Sequence, residues 1–232
     1  MSLRIFAFTV LCFSSLAVVF AQSDDQPDEP DAAPPPLRGK IDGRTYISPT
    51  GAFSMTIPVL SELGGSISDT ENVVTFEDNF STHVSVAAFQ EDATQRFEDE
   101  RRGRKDYLIY FFSNFVMPDF QKRSPGAKIE DAVFRPGTAD GALIVYTLLP
   151  GGSMFAERAS LTDDAASSLV AKRGNLLFVK NGYIFVISTE LAERVLEHST
   201  YHKSKDEEDE ILHTRLLDLM GSMQFNAPAD KK

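Results

Sequence analysis

The sequence predicts an α+β fold in which an antiparallel-rich sheet is covered by an aromatic helix and a C-terminal amphipathic helix. Short β-rich runs separated by turn residues occupy residues 45–90 and resume near residue 128. Between them, aromatic residues recur at helical spacing, and an apolar helical pattern closes the chain. Because sheets and helices must each bury an apolar side, we expect these elements to stack in layers.

The first 21 residues are typical of a cleavable export signal. Arg4 supplies the positive start, an apolar run comes next, and Val19 and Ala21 form a small-residue processing site. A retained membrane anchor needs ~20 apolar residues, and this run is shorter and interrupted by polar residues. Cleavage would remove Cys12, the only cysteine, and leave a thiol-free chain in the periplasm or outside the cell.

Residues 22–40 are predicted to form a disordered, acidic, proline-rich tether. The stretch Gln22–Pro36 contains five prolines and five acidic residues and no aliphatic residue larger than alanine. Such a segment buries too little surface to offset the entropy lost on ordering. Residues 41–226 are then expected to form a single globular domain, and residues 227–232 a free tail.

The composition favours a packed domain and opposes binding to nucleic acid. The chain has 34 acidic and 23 basic residues and a net charge of −11, so a phosphate backbone would repel it. Hydrophobic residues make up 42% of the chain and aromatic residues 10%, which is enough to bury a core.

The first half of the predicted domain has the pattern of a β-meander. The expected strands are TYIS, AFSMTIP, NVVTFED and THVSVAAF. In the last of these, His83, Ser85 and Ala87 alternate with small apolar residues. This period of two places the two sets on opposite faces of the sheet.

A helix rich in aromatic residues is predicted from Asp92 to about Met117. Its apolar residues, mostly three or four apart, are Phe97, Leu108, Phe111, Phe112 and Phe115. Gly103 could bend the charged half into two helices, because glycine costs ~1 kcal/mol relative to alanine there. Pro118 is expected to end the segment. The aromatic residues cover more than half of the helix circumference, so we expect some to emerge in a groove or at an interface.

Strands resume after this helix. One is expected at KIEDAVF, and the run ALIVYTLL, which lacks polar alternation, predicts a strand covered on both faces at the centre of the sheet. Another strand is expected at SMFAER. Asn181 and Gly182 join two β-rich runs and predict a hairpin, because they accept the positive φ angles of a type I′ turn.

Two helices are expected after the hairpin. Ser188 or Thr189 could cap a short one, and Ser204 with Glu207 matches a capping box for the second. The acidic run Asp206–Glu210 is interpreted as helix-stabilising, since the macrodipole favours carboxylates in a first turn by ~0.3–1 kcal/mol each. The apolar face of the second helix is Leu212, Leu216, Leu219, Met220 and Met223. All strands are expected to form one sheet.

The order of these elements resembles the Mog1/PsbP-like group. The segments that carry the resemblance are TYISPTGAFSMTIP, the hairpin LLFVKNGYIFVIS and the closing helix that runs into SMQF. The resemblance implies an α/β/α sandwich around an antiparallel sheet. It also implies a binding or assembly role, since members include partners of photosystem and GTPase complexes and exported bacterial proteins. The matched segments are apolar patterns, so no functional residue is carried over.

His198 and His202 are the best candidate metal ligands in the sequence. They lie four residues apart, on one face if the helix continues, and Glu197, Asp206 or Glu208 could add a carboxylate. Two imidazoles and an acid suit zinc. The intervening residues are poor helix formers, however, so we favour a solvated loop over a metal site.

Arg101, Arg102, Arg104 and Lys105 form a basic cluster ahead of an aromatic stretch. Such a patch could contact anionic lipid headgroups or a phosphate-bearing partner. Acidic residues flank it, so we favour a solvated face of ion pairs. The aromatic stretch could line a pocket for an apolar ligand, although aromatic residues at this spacing are more often core.

The sequence therefore predicts an exported binding or accessory protein that is not an enzyme. It contains no G-x-S-x-G, P-loop, G-x-G-x-x-G or H-E-x-x-H motif, and we expect no cofactor. The expected partner is a protein or a small apolar ligand, not nucleic acid. Two alternatives stay open: a secreted hydrolase or metal-dependent enzyme with dispersed site residues, and a protein attached peripherally to a membrane.

Overall fold

The computed structural model describes residues 36–155, 169–197 and 200–226. The strands within these ranges are β1 (Lys40–Asp42), β2 (Thr45–Ile47), β3 (Phe53–Thr56), β4 (Ser66–Asp69), β5 (Val73–Glu77), β6 (His83–Gln90), β7 (Lys128–Arg135), β8 (Ala142–Pro150), β9 (Val170–Lys180), β10 (Tyr183–Glu190) and β11 (Met223–Phe225). The α-helices are α1 (Ala93–Arg102), α2 (Arg104–Phe111), α3 (Met117–Arg123), α4 (Ala192–Leu196) and α5 (Lys205–Gly221). A 3₁₀ turn forms at Ser61–Leu63 and a π-helical turn at Phe112–Val116.

The described strands form two antiparallel sheets. The large sheet has the order β4-β5-β6-β10-β9-β8-β7, and the small sheet has the order β1-β2-β3-β11. The α+β class and the antiparallel pairing predicted from the sequence are confirmed. The expectation of one sheet is wrong, because β3 pairs with β11 at the end of the chain, where Phe53 lies opposite Phe225.

The large sheet is the middle layer. One of its faces packs against the small sheet and α5, in a core that contains Phe76, Val86, Phe178, Phe185, Tyr46, Phe53, Leu212 and Leu216. The other face packs against α2 and the π-helical turn, in a core that contains Leu143, Val145, Leu177, Ile184, Tyr107, Leu108, Phe111 and Phe112. The aromatic helix and the C-terminal helix therefore cover opposite faces of the sheet.

The predicted hairpin is confirmed as β9 and β10. Asn181 has a φ of 51° and Gly182 a φ of 75°, which are the left-handed conformations that the turn requires. Lys180 pairs with Tyr183 directly across the turn, so the register of both strands is set there.

The run ALIVYTLL forms most of β8 and is buried on both faces, as predicted. Its predicted central position is wrong, because β8 is next to the edge strand β7 and β10 lies fourth of seven. A continuous apolar run indicates that both faces of its strand are covered, and in this sheet the covered region extends to β8, next to the edge strand. SMFAER does not begin as a strand: Ser153–Phe155 is irregular, and the residues after it lie outside the described part.

The aromatic helix differs from the prediction at both of its marked positions. It breaks at Gly103, whose φ of 78° leaves the helical region, so the alternative of two helices holds. Pro118 does not end the segment but lies at the start of α3, directly after the π-helical turn. The helical layer therefore continues to Arg123.

Of the two caps predicted for the last two helices, the structure contains one. Ser204 and Glu207 form the predicted capping box, with the Ser204 N–H donating to Glu207 Oε2 at 2.8 Å. Ser188 and Thr189 do not cap α4, since both belong to β10, and Leu191 precedes that helix without a side-chain cap.

The folded part begins earlier than the predicted boundary at residue 41. The backbone N–H groups of Arg38 and Gly39 donate to the Asp69 carboxylate at 2.8 and 2.7 Å, and Lys40 opens β1. The predicted export signal, most of the tether and the tail at residues 227–232 lie outside the described residues. Among the described helices, none is long and apolar enough to cross a membrane.

Candidate functional site

A groove opens where the helical layer stops covering the large sheet. The buried sheet residues beneath α2 come from β8, β9 and β10. Among the described elements, none buries the same face of β4 and β5 in this way. The result is a cavity of about 610 Å³ between the outer half of the sheet and the side of the helical layer.

The floor of the groove is polar because of the period-two alternation in the strands. Ser85 of β6 lies opposite Thr75 of β5 and Ser188 of β10, so the three hydroxyl-bearing residues form a row across the sheet. Their neighbours Phe76 and Val84 point to the other face and lie in its core. One face of these strands is thus built for burial and the other for contact with solvent or a ligand.

The wall of the groove is apolar and comes from the π-helical turn. Phe111 contacts Phe89 of β6 and Phe115, with ring centroids 6.2 and 5.1 Å away. A π-helical turn inserts one extra residue, which rotates the residues after it by about 100° relative to a continuous α-helix. Phe115 is 51% exposed and lines the cavity, as expected for an aromatic residue that does not fit the core.

His83 lies at one end of the cavity and is only 5% exposed. Burial, then the charges of Arg173 and Arg123, lower the pKa of its imidazole to about 4. The ring is therefore neutral at pH 7. Its Nε2 atom has no hydrogen-bond partner among the described residues. A buried polar atom without a partner costs roughly 1–3 kcal/mol, so this nitrogen is a candidate contact for a ligand.

Arg173 of β9 lies beside His83 and is 6% exposed. Its Nη2 atom donates to Glu190 Oε2 at 3.0 Å, and its guanidinium stacks 5.4 Å from the centre of the Phe120 ring. Its Nε atom is buried and has no partner in the described part of the chain. The side chain is held from two sides and keeps one N–H available.

The Glu190 carboxylate already accepts hydrogen bonds from neighbouring residues. It is fully buried and accepts hydrogen bonds from Ser153 Oγ at 2.5 Å and from the Met154 N–H at 3.2 Å, besides Arg173. This carboxylate therefore positions Arg173 and has little capacity for a ligand.

The site does not contain the contacts of a serine hydrolase. A base must lie within hydrogen-bond reach of its nucleophile, and His83 Nε2 contacts no hydroxyl of the described residues. The Ser188 hydroxyl donates instead to Asn175 Oδ1 at 2.8 Å.

The predicted zinc pair is not brought into a site by the described residues. His198 lies outside them, and His202 is exposed. Within residues 36–155, 169–197 and 200–226, no group of three or more His, Cys, Asp or Glu side chains could hold a metal ion. The pair stays a prediction.

The basic cluster forms the ion-paired face that the sequence favours. Arg101 and Arg102 both contact Glu98 Oε2, at 2.9 and 2.6 Å. Arg104 contacts Asp99 at 2.9 Å. The fourth member, Lys105, is exposed. Contact of this cluster with lipid or phosphate stays a prediction.

His83, Arg123 and Arg173 do not stand out as site residues in the sequence. Two signals are present there. The alternation in β6 places His83 on the polar face, and the charged pair Lys172–Arg173 interrupts an otherwise apolar run. Neither signal reveals that a groove lies above these residues, because the groove is formed by a helix distant in sequence.

Comparison with known proteins identifies similar folds only. No family model and no curated protein matches the chain. Similar solved structures include a Bacteroides thetaiotaomicron protein (15% identity over 83% of this chain and 52% of that one, TM-score 0.36). Another is PsbP (CyanoP) from Synechocystis sp. PCC 6803 (13% identity over 81% and 98%, TM-score 0.47). A third is the Ran-binding protein Mog1p of Saccharomyces cerevisiae (9% identity over 83% and 97%, TM-score 0.43).

The chain spans about half the length of the first of these structures. PsbP and Mog1p, which give their names to the group that the sequence resembles, are thus among the similar solved structures.

Proposed function

We propose that this chain is an exported, non-catalytic binding protein whose ligand occupies the groove beside the aromatic helix. One observation carries the proposal. The cavity of about 610 Å³ holds two buried side chains, His83 and Arg173, each with a nitrogen that lacks a partner among the described residues.

The size and lining of the groove support binding of a small molecule. Ligand sites typically measure ~300–1,000 Å³ and combine apolar walls with a few fixed polar groups. Here Phe111 and Phe115 supply the wall, and His83 and Arg173 supply the polar groups. Both polar side chains are fixed by burial, so they are organised before a ligand arrives.

Export is supported by the sequence of the first 21 residues and by the thiol-free remainder of the chain. Mass spectrometry of the protein from its natural source tests this part directly. We expect an N-terminus at Gln22. An intact Met1 end in material from the cell interior would contradict export without bearing on the groove.

Binding in the groove is tested with N-phenyl-1-naphthylamine, a neutral apolar dye whose fluorescence rises in apolar surroundings. Ala87→Phe places a ring in the cavity, whereas Ala132→Phe adds the same ring to the exposed edge strand β7. We expect saturable dye binding by the wild type and by Ala132→Phe, and at least about tenfold weaker binding by Ala87→Phe.

Each variant must first show cooperative urea unfolding, since partly unfolded proteins also bind such dyes. If Ala87→Phe does not fold, Phe115→Ala supplies the same test, because this exposed side chain can be truncated without opening the core. Equal dye binding by the wild type and the groove variant would refute the proposed site.

A further inference from the structure

We infer that the groove takes an amphipathic monocarboxylate, with the carboxylate at the end formed by His83 and Arg173 and an apolar body along the aromatic wall. This inference rests on the function proposed above and adds the chemical class of the ligand.

The cationic groups at this end favour an anionic head. Arg173 has a buried Nε–H without a partner in the described chain, and charge-assisted hydrogen bonds to carboxylates are among the strongest available to it. Arg123, at the end of α3, also lines the cavity and forms no ion pair with the described residues. His83 can donate from Nε2 in one neutral tautomer, and it then adds a third donor without a charge.

The buried carboxylate at this end, Glu190, neutralises Arg173, with which it forms an ion pair at 3.0 Å. Glu190 is buried and shared between Ser153, Met154 and Arg173. Glu77 and Asp119 line the cavity and are exposed to solvent, as is Arg123, so solvent screens the charges of all three. The carboxylate head is therefore selected by the free Nε–H of Arg173, as a hydrogen-bond donor, and by the guanidinium of Arg123.

The lining changes from polar to apolar along β6. His83, Ser85, Ala87 and Phe89 share one face, and the six residue steps from His83 to Phe89 extend ~20 Å. Ala87 lies opposite Val186, so the floor becomes apolar where the aromatic wall of Phe111 and Phe115 begins. A molecule with one charged end and an extended apolar body matches this gradient.

The test measures displacement of N-phenyl-1-naphthylamine by three ten-carbon compounds: decanoate, decanol and decyltrimethylammonium. We expect decanoate to displace the dye at a concentration about tenfold lower than decanol, and the cationic compound to be the weakest. The apolar chain is the same in all three, so the ratios report the head group alone.

The matched variants are Arg123→Gln and Lys122→Gln, two neighbouring exposed residues of which only Arg123 lines the cavity. Arg123→Gln should lower the advantage of decanoate over decanol several-fold, as measured by the ratio of the two displacement concentrations in the same variant. Lys122→Gln should leave this ratio unchanged.

Equal displacement by decanoate and decanol, or stronger displacement by decyltrimethylammonium, would overturn the assigned head group and leave the groove as a binding site. Absence of groove-dependent dye binding in the wild type would instead remove the proposed function itself.

Discussion

Lys172 and Arg173 are consecutive residues of β9, and they meet opposite surroundings. Lys172 faces the C-terminal helix and is 0% exposed, and its Nζ atom lies 2.6 Å from Glu130, 3.1 Å from Glu208 and 2.6 Å from Asp209. Burial disfavours its charge, but these three carboxylates outweigh burial and raise the pKa of the ammonium.

Arg173 faces the groove, and among the described residues one carboxylate, Glu190, pairs with its five donor N–H groups. The two residues therefore show what distinguishes a structural charge from a candidate binding group in this fold. On the covered face, three carboxylates surround one ammonium. On the partly covered face, the set of partners is incomplete, and a cavity lies where further partners would be.

The largest expected loss of stability follows from a change on the covered face of the large sheet. Lys172→Met should reduce the free energy of unfolding by about 3–5 kcal/mol, because it removes the buried cation that three clustered carboxylates share and leaves Glu208 and Asp209 with one cation each. Urea denaturation at pH 7 measures this loss. Lys205→Met is the matched control, since Lys205 also contacts Asp209, at 2.7 Å, but from an exposed position. Similar losses in the two variants would show that burial is not the reason why the ion pairs of Lys172 contribute to stability.

The second prediction concerns the groove face and pH. The pKa of His83 is lowered from 6.5 to about 4, so the folded state binds fewer protons than the unfolded state between these values. The free energy of unfolding should therefore fall as the pH drops from 6.5 to 4, by about 3 kcal/mol from this residue.

Urea denaturation at several pH values checks this prediction. His83→Gln should make the free energy of unfolding depend less on pH between 6.5 and 4. His202→Gln, at an exposed position, should retain the pH dependence of the wild type. Parallel pH curves for the wild type and His83→Gln would show that the imidazole of His83 is as accessible to protons in the folded state as in the unfolded state.

The smallest effect is expected for the exposed ion pairs. Replacement of Arg101, Arg102, Arg104 and Lys105 by glutamine should reduce stability less than the two changes above, because exposed pairs such as Arg101–Glu98 contribute little. Most of the loss should come from Arg104, which is part-buried and also donates to the Val179 carbonyl at 3.3 Å. The replacement should also leave co-sedimentation with vesicles of equal parts phosphatidylcholine and phosphatidylserine unchanged. Loss of vesicle binding in the variant alone would instead support peripheral membrane attachment through this cluster.

Features set by neighbouring residues could be predicted from the sequence. The turn at Asn181–Gly182, the capping box at Ser204 and the alternation in β6 each depend on residues a few positions apart. The acidic run Asp206–Glu210 shows where local interpretation stops. Glu208 and Asp209 do not simply stabilise the first turn of α5, since both pair with Lys172 across the core.

The sequence by itself determined strands β2, β3 and β5–β10, the hairpin, the helix start at Ser204 and the polar face of β6, because backbone conformation and side-chain alternation depend on adjacent residues. Only the tertiary structure decided that β3 pairs with β11, that β8 lies near an edge and that the helical layer leaves β4–β6 open. These outcomes depend on which distant apolar surfaces fit together, and the groove exists because the aromatic helix covers only part of its sheet.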